Sequence, residues 1–122
     1  MNKIRVAIIG AGGISHAHLK GYLSQSDRCK ITALCDIFPE KCIKLAEGLG
    51  MKNTEQITIT NDYKTLLPRD DIDLVSVCLP PSLHCEVSCA FLFAGKNVLC
   101  EKPMAASLEE ADRMLEAEKK SG

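Results

Sequence analysis

A chain of 122 residues is long enough for one domain with a real core and short for a two-domain enzyme, so residues 1–122 are read as a single domain. With 46% hydrophobic and 25% charged residues the composition is globular, and a formal charge of -1 with interspersed basic and acidic residues gives no concentrated basic face for a phosphate backbone. Three Phe, two Tyr and no Trp leave no stacking platform for single-stranded bases, so nucleic acid is not an expected partner.

Met1 to Arg5 runs straight into a strand pattern with no export signal, and no apolar run approaches the roughly 18 residues that span a bilayer. A cytoplasmic setting away from membranes is expected. The seven Cys are an odd number and, without a secretory signal, read as reduced thiols that act as small buried hydrophobes.

In chain order, Ile4–Ile9 (IRVAII) is an apolar, β-branched strand of the kind buried on both faces, followed at once by a glycine-rich turn. The spacing predicts a helix from Ile14 to about Leu23 and a second strand over Lys30–Cys35, ending at Asp36. Pro39 suits a first helical turn, and Cys42, Leu45, Ala46 and Leu49 repeat at helical spacing until Gly50. Ile57–Thr60 is a short third strand, Asn61 or Asp62 caps a brief helix, and Asp73–Leu79 is a fourth strand ended by Pro80 and Pro81. Ser82 is expected to cap the next helix, with Val87, Ala90, Phe91 and Ala94 as its apolar face and Gly95 as its stop. Asn97–Cys100 is a fifth strand, and Ser107 with Glu110 forms a capping box for a last helix whose apolar face is Leu108, Ala111 and Leu115, with Lys119 and Lys120 at its C-terminal end.

Strands alternating with helices imply a doubly wound α/β domain: about five parallel strands, right-handed crossovers and helices on both faces. The sequence ends on a helix, where a dinucleotide-binding sheet of this class would go on to a sixth strand, so the chain reads as a truncated or excised domain.

Gly10, Gly12 and Ser15 (GAGGIS) occupy a G-x-G-x-x-G frame between the first strand and the first helix. Gly10 permits the tight turn, Gly12 lets the backbone approach a pyrophosphate, and the small Ser15 lets the helix pack near its strand. Gly13 and Ile14 belong to the same phosphate turn, where helix N-terminal amides meet an anion. Asp36 lies 21 residues beyond Ser15, close to the spacing of about 20 expected of an acid on the ribose. An aspartate there accepts from the ribose hydroxyls and repels a 2′-phosphate, so NAD is favoured over NADP; Lys41 is the nearest cation that follows. The same frame also fits a plain strand-to-helix turn or an S-adenosylmethionine-dependent methyltransferase.

Leu79-Pro80-Pro81-Ser82-Leu83-His84 after the fourth strand and Cys100-Glu101-Lys102-Pro103 after the fifth decide against the methyltransferase. Together with GAGGISHAH they resemble the N-terminal domain of the glucose-fructose oxidoreductase and inositol dehydrogenase family, Gfo/Idh/MocA, over essentially the whole chain. The resemblance departs at Leu79, where such proteins often carry Thr. It implies a Rossmann domain whose Pro80, Pro81 and His84 border the nicotinamide side of the crevice. It also implies that Lys102 lies beside nicotinamide and substrate, with Glu101 orienting it and with a cis peptide between Lys102 and Pro103. An ammonium at that place can hydrogen-bond the substrate oxygen or help move a proton as hydride passes to or from the nicotinamide.

His16 and His18 read as packing or capping residues of the first helix. Cys85 and Cys89, a helical turn apart beside His84, lack the ligand number and spacing of a zinc site, so no metal is expected. The function implied is the cofactor-binding part of an oxidoreductase acting on a sugar, polyol or related alcohol, with the substrate bound through a missing second domain. A non-catalytic NAD-binding regulatory module is the alternative. An uncovered sheet edge or apolar surface would also favour self-association into a homo-oligomer.

Overall fold

The computed structural model describes residues 2–51 and 56–122. Strands β1 (Ile4–Ile9), β2 (Cys29–Cys35), β3 (Thr58–Thr60), β4 (Leu74–Val77) and β5 (Asn97–Cys100) form one parallel sheet in the order β3-β2-β1-β4-β5. The order reverses between β1 and β4, which opens a crevice at their carboxyl ends. Register decides what stands there. Ile9 is level with both Cys35 and Val77, Cys35 with Thr60, and Val77 with Cys100. The next residues, Gly10, Asp36, Asn61, Cys78 and Glu101, therefore leave the sheet along a single edge.

The strands alternate apolar residues to both faces, and each face is covered. Ile8 and Leu34 meet Leu19 of helix α1 (Ser15–Leu23) and Cys42 and Ala46 of helix α2 (Pro39–Gly48). On the opposite face Ala7, Ile9, Ala33, Val75 and Val77 meet Leu66 and, from helix α3 (Pro81–Phe93), Val87 and Phe91. Phe91 is fully buried, and removing a side chain of that size from water contributes about 2–3 kcal/mol. Helix α4 (Leu108–Ser121) lies against α3, where the Cys85 and Cys89 thiols reach the Glu110 and Arg113 carbonyls.

Caps follow the sequence with one exception. Asp62 caps a short 3₁₀ turn (Tyr63–Leu66) by accepting the Lys64 N–H at 3.0 Å, and Ser107 caps α4 by accepting the Glu110 N–H at 3.1 Å. Ser82, expected as the cap of α3, instead lies inside it: the helix begins on Pro81, whose missing N–H needs no partner, and Pro80 is the capping residue. The expected face of α4 is also corrected. Met114 and Ala117 are buried, whereas Leu108 is 86% and Leu115 50% exposed. The helix carries two apolar stripes about 100° apart, and the one with Met114 and the small Ala117 fits against the α3 cysteines. The fourth strand, Leu74–Val77, is shorter than the expected Asp73–Leu79, although the backbone N–H groups of Asp73 and Cys78 still bond the Arg5 and Ile9 carbonyls of β1.

The side of the molecule at β5 is less covered. Val98 and Cys100 pack inward, while Leu99 on the other face is 49% exposed and Phe93 at the end of α3 is 60% exposed.

Candidate functional site

The glycine turn sits at the reversal of strand order. Gly10 has φ +99°, and a Cβ placed on it would lie 2.5 Å from the Cys78 carbonyl oxygen, so both the backbone conformation and the approach of β4 require glycine. Gly12 and Gly13 differ: a Cβ on either meets no protein atom within 4 Å, which leaves open space over the turn. Ile14, the capping residue of α1, supplies no side-chain bond; the Ser15 N–H is taken by the Gly12 carbonyl and those of Ala17 and His18 by the Ile14 carbonyl, which leaves the Gly13, Ile14 and His16 N–H groups without a partner among the described residues. Ser15, in the third glycine's place, is fully buried and donates its hydroxyl to the Gly12 carbonyl, so the turn is closed by a side chain.

Asp36 comes to this turn from the neighbouring strand. One carboxylate oxygen accepts the Ala11 N–H at 2.8 Å and the other the Phe38 N–H at 2.8 Å. These bonds fix the carboxylate beside the glycines while each oxygen keeps a lone pair for a further donor. A cleft of about 260 Å³ opens here, lined on the way in by Gly10, Asp36, Ile37, Asn61, Leu79 and Leu83. Ile37 and Leu83, 75% and 41% exposed, give it apolar rims that the sequence reading did not single out. Tyr63 and Glu86 meet on its lining, where burial and then the Glu86 carboxylate push the Tyr63 hydroxyl up to about 12. Lys41 holds its ammonium 5.2 Å above the Phe38 ring. A larger groove of about 540 Å³ runs between α3 and α4, lined by Cys85, Cys89 and Phe93, but neither the glycine turn nor Asp36 borders it.

The loop after β5 stands next to the loop after β4. The Lys102–Pro103 peptide is cis. Lys102 is exposed, and among the described residues no carboxylate pairs with its ammonium. Glu101 accepts the Lys102 backbone N–H at 3.2 Å with one oxygen, and its other oxygen lies 2.7 Å from His18 Nε2 of α1. The His18 hydrogen bond, followed by the Lys102 amide, holds the Glu101 carboxyl below its usual range. Glu101 thus touches the backbone of the lysine and the side chain of a histidine that sequence reasoning left as structural.

His84 is corrected in place. It was expected on the crevice rim, and its side chain is fully buried instead. Nδ1 lies 2.8 Å from the Pro103 carbonyl oxygen and Nε2 2.6 Å from that of Leu79, so the ring lies between the two loops and whichever nitrogen carries the proton donates to its carbonyl. Pro80 is exposed and Pro81 half-buried at the mouth of the same loop. His16 is exposed. Burial pushes the thiols of Cys35 and Cys78 up to about 12 and those of Cys42 and Cys89 up to about 11, and no disulfide links them. Among the described residues no group of His, Cys, Asp or Glu is placed to hold a metal ion, and no helix is long and apolar enough to cross a membrane.

An open glycine turn, a fixed acid after β2 and a Glu-Lys-Pro loop after β5 now stand on one parallel sheet. The family model for GFO_IDH_MocA, an oxidoreductase family with an NAD-binding Rossmann fold, matches residues 4–122. The chain belongs to that family. It is 35% identical to the D-glucoside 3-dehydrogenase of Escherichia coli over 98% of this chain and 32% of that protein. Among solved structures it is similar to the WlbA dehydrogenase of Bordetella pertussis in complex with NADH and UDP-GlcNAcA, with a TM-score of 0.88 and 27% identity over 99% of this chain and 36% of that one. It is also similar to KijD10, a 3-ketoreductase of Actinomadura kijaniata in complex with NADP and TDP-benzene, with a TM-score of 0.82 and 30% identity over 98% of this chain and 35% of that one. The chain thus spans about a third of the length of these relatives, and it is the NAD-binding Rossmann domain that it shares with them.

Proposed function

We propose that residues 1–122 form the cofactor domain of an oxidoreductase that moves hydride between NAD and a sugar, polyol or related alcohol. The observation that carries this reading is the Asp36 carboxylate, held by the Ala11 N–H beside an open glycine turn at the reversal of strand order. The residues present fit a dinucleotide: Gly12 and Gly13 without obstruction for the pyrophosphate, the unpartnered amides of Gly13, Ile14 and His16 at the start of α1, and a placed acceptor for the ribose hydroxyls. A bound nicotinamide would take or give the hydride. The protein's part is to bind, to orient and to handle the proton.

Gly10, Gly12, Gly13 and Ile14 hold the phosphates, and Asp36 selects NAD over NADP by repelling a 2′-phosphate. Pro80 and Pro81 border the nicotinamide side. Lys102, exposed and without a carboxylate partner among the described residues, is free to hydrogen-bond the substrate oxygen and to assist its proton, while Glu101 fixes the lysine's backbone. The substrate pocket belongs to a second domain, so this chain by itself binds cofactor and turns over no substrate. The exposed Leu99, Leu108 and Phe93 favour contact with that domain or with a second copy of the chain. Seven free thiols, several deeply buried, favour a cytoplasmic setting.

Calorimetric titration with NADH and NADPH tests the reading. Saturable NADH binding that competes with ADP-ribose is the expected result; S-adenosylmethionine binding in its place would refute it.

A further inference from the structure

Lys102 stands between two residues that are each held by a histidine of a different helix. On its N-terminal side Glu101 is bonded to His18 of α1 at 2.7 Å; on its C-terminal side the Pro103 carbonyl lies 2.8 Å from His84 of α3. Neither imidazole is at the surface: the His18 side chain is 12% exposed and His84 fully buried. The second nitrogen of His84 meets the Leu79 carbonyl, so the same ring also lies against the loop after β4. Among the described residues the sheet supplies one backbone bond to this segment, from the Glu101 N–H to the Val77 carbonyl at 3.1 Å. Beyond it the loop carries an exposed lysine and leads away to α4. A loop with so little backbone bonding takes its position from the side chains that grip it.

We propose that His18 and His84 are positioning residues that clasp the Glu101–Pro103 loop from two sides and thereby set where the Lys102 ammonium stands relative to the nicotinamide side of the crevice. The inference rests on the placement of Lys102 beside the nicotinamide. It adds a physical link between the two halves of the site: α1, whose first turn receives the phosphates, is bonded through His18 to the loop that carries the lysine. The bonds that place Asp36, from the Ala11 and Phe38 N–H groups, involve neither imidazole, so losing either histidine side chain would spare the adenosine end and loosen the nicotinamide end.

The test is made on the chain itself with His18→Leu, His18→Gln, His84→Asn and His84→Gln. Backbone hydrogen exchange of the segment 100–104 is read by mass spectrometry, and affinities for NADH and for ADP-ribose, which lacks the nicotinamide, are read by calorimetry. His18→Leu is expected to speed exchange in the segment about tenfold and to weaken NADH about tenfold, the worth of one hydrogen bond to a charged group, with ADP-ribose changed by less than about twofold. His18→Gln, whose amide reaches the place of Nε2, restores both readouts. His84→Asn keeps a donor near Nδ1 and the Pro103 contact, so it loosens the segment less than His84→Gln. Unchanged exchange in both His18→Leu and His84→Gln would overturn the clasp, as would ADP-ribose affinity falling in step with NADH. If the unaltered chain bound neither nucleotide, the cofactor reading would fail, and exchange alone would still decide the clasp.

Discussion

The Ala11 N–H donates to the Asp36 carboxylate at 2.8 Å, so the turn after β1 and the acid after β2 form a single hydrogen-bonded unit before any nucleotide arrives. Asp36 has two duties, to brace the turn and to face the ribose. Asp36→Asn separates them. It keeps one oxygen for Ala11 or Phe38 and loses the negative charge. NADH affinity should fall roughly tenfold and NADPH affinity should fall less or rise, which paired titrations measure. Equal losses for both nucleotides would show that the bracing matters and the charge does not.

Gly10 admits no side chain. Gly10→Ala forces a Cβ against the Cys78 carbonyl oxygen in a left-handed conformation, and should destabilise the fold by roughly 2–4 kcal/mol in urea unfolding. Gly12→Ala meets no protein atom, so it should leave stability nearly unchanged and weaken NADH binding.

Arg5 and Asp73 lock the start of β1 to the start of β4 by three hydrogen bonds. The Arg5 guanidinium, then its backbone N–H, pulls the Asp73 carboxyl down from its ordinary 3.8 to about 2. A depressed folded value means that the pair stabilises the chain fully above pH 3.8 and that this contribution is lost as pH falls toward 2. Both side chains are more than a third exposed, so solvent screening limits the effect to about 1 kcal/mol or less. Urea unfolding from pH 5 down to pH 2 should show a steeper loss in the native chain than in Asp73→Asn.

The cysteines should be silent. With Cys35 and Cys78 at about 12 and Cys42 at about 11, their thiols stay protonated near neutral pH. A chromogenic disulfide reagent at pH 8 should leave these three unmodified in the folded chain and titrate all seven in denaturant. Rapid reaction of Cys35 or Cys78 in the folded state would contradict the packing role.

Much of this architecture is legible in the sequence because local signals and tertiary needs agree. IRVAII before GAGGIS, and an acid 21 residues beyond Ser15, specify strand, turn and partner strand, and the sheet has those residues side by side. The α4 face was misjudged because Leu108 and Leu115 carry the larger hydrophobicity while Met114 and Ala117 have the shape that fits α3, and periodicity weighs only the first. Ser82 was misjudged because a serine ahead of an apolar run looks like a cap, yet Pro81 already opens the helix. His84 reads as polar and hence near the surface; only the carbonyls of Leu79 and Pro103, brought together by neighbouring strands, make a buried place for it. The His18 to Glu101 bond spans 83 residues and leaves no local trace.

The central claim, that the turn at Gly10 to Ile14 and the acid at Asp36 form a nicotinamide-dinucleotide site, is tested most directly by following backbone amide resonances of the chain as NADH is added. The account predicts saturable shifts at Gly12, Gly13 and Ile14 and around Asp36, with a second set at Lys102 that ADP-ribose does not produce. Shifts confined to the groove between α3 and α4, or no saturable change at the glycine turn, would contradict it.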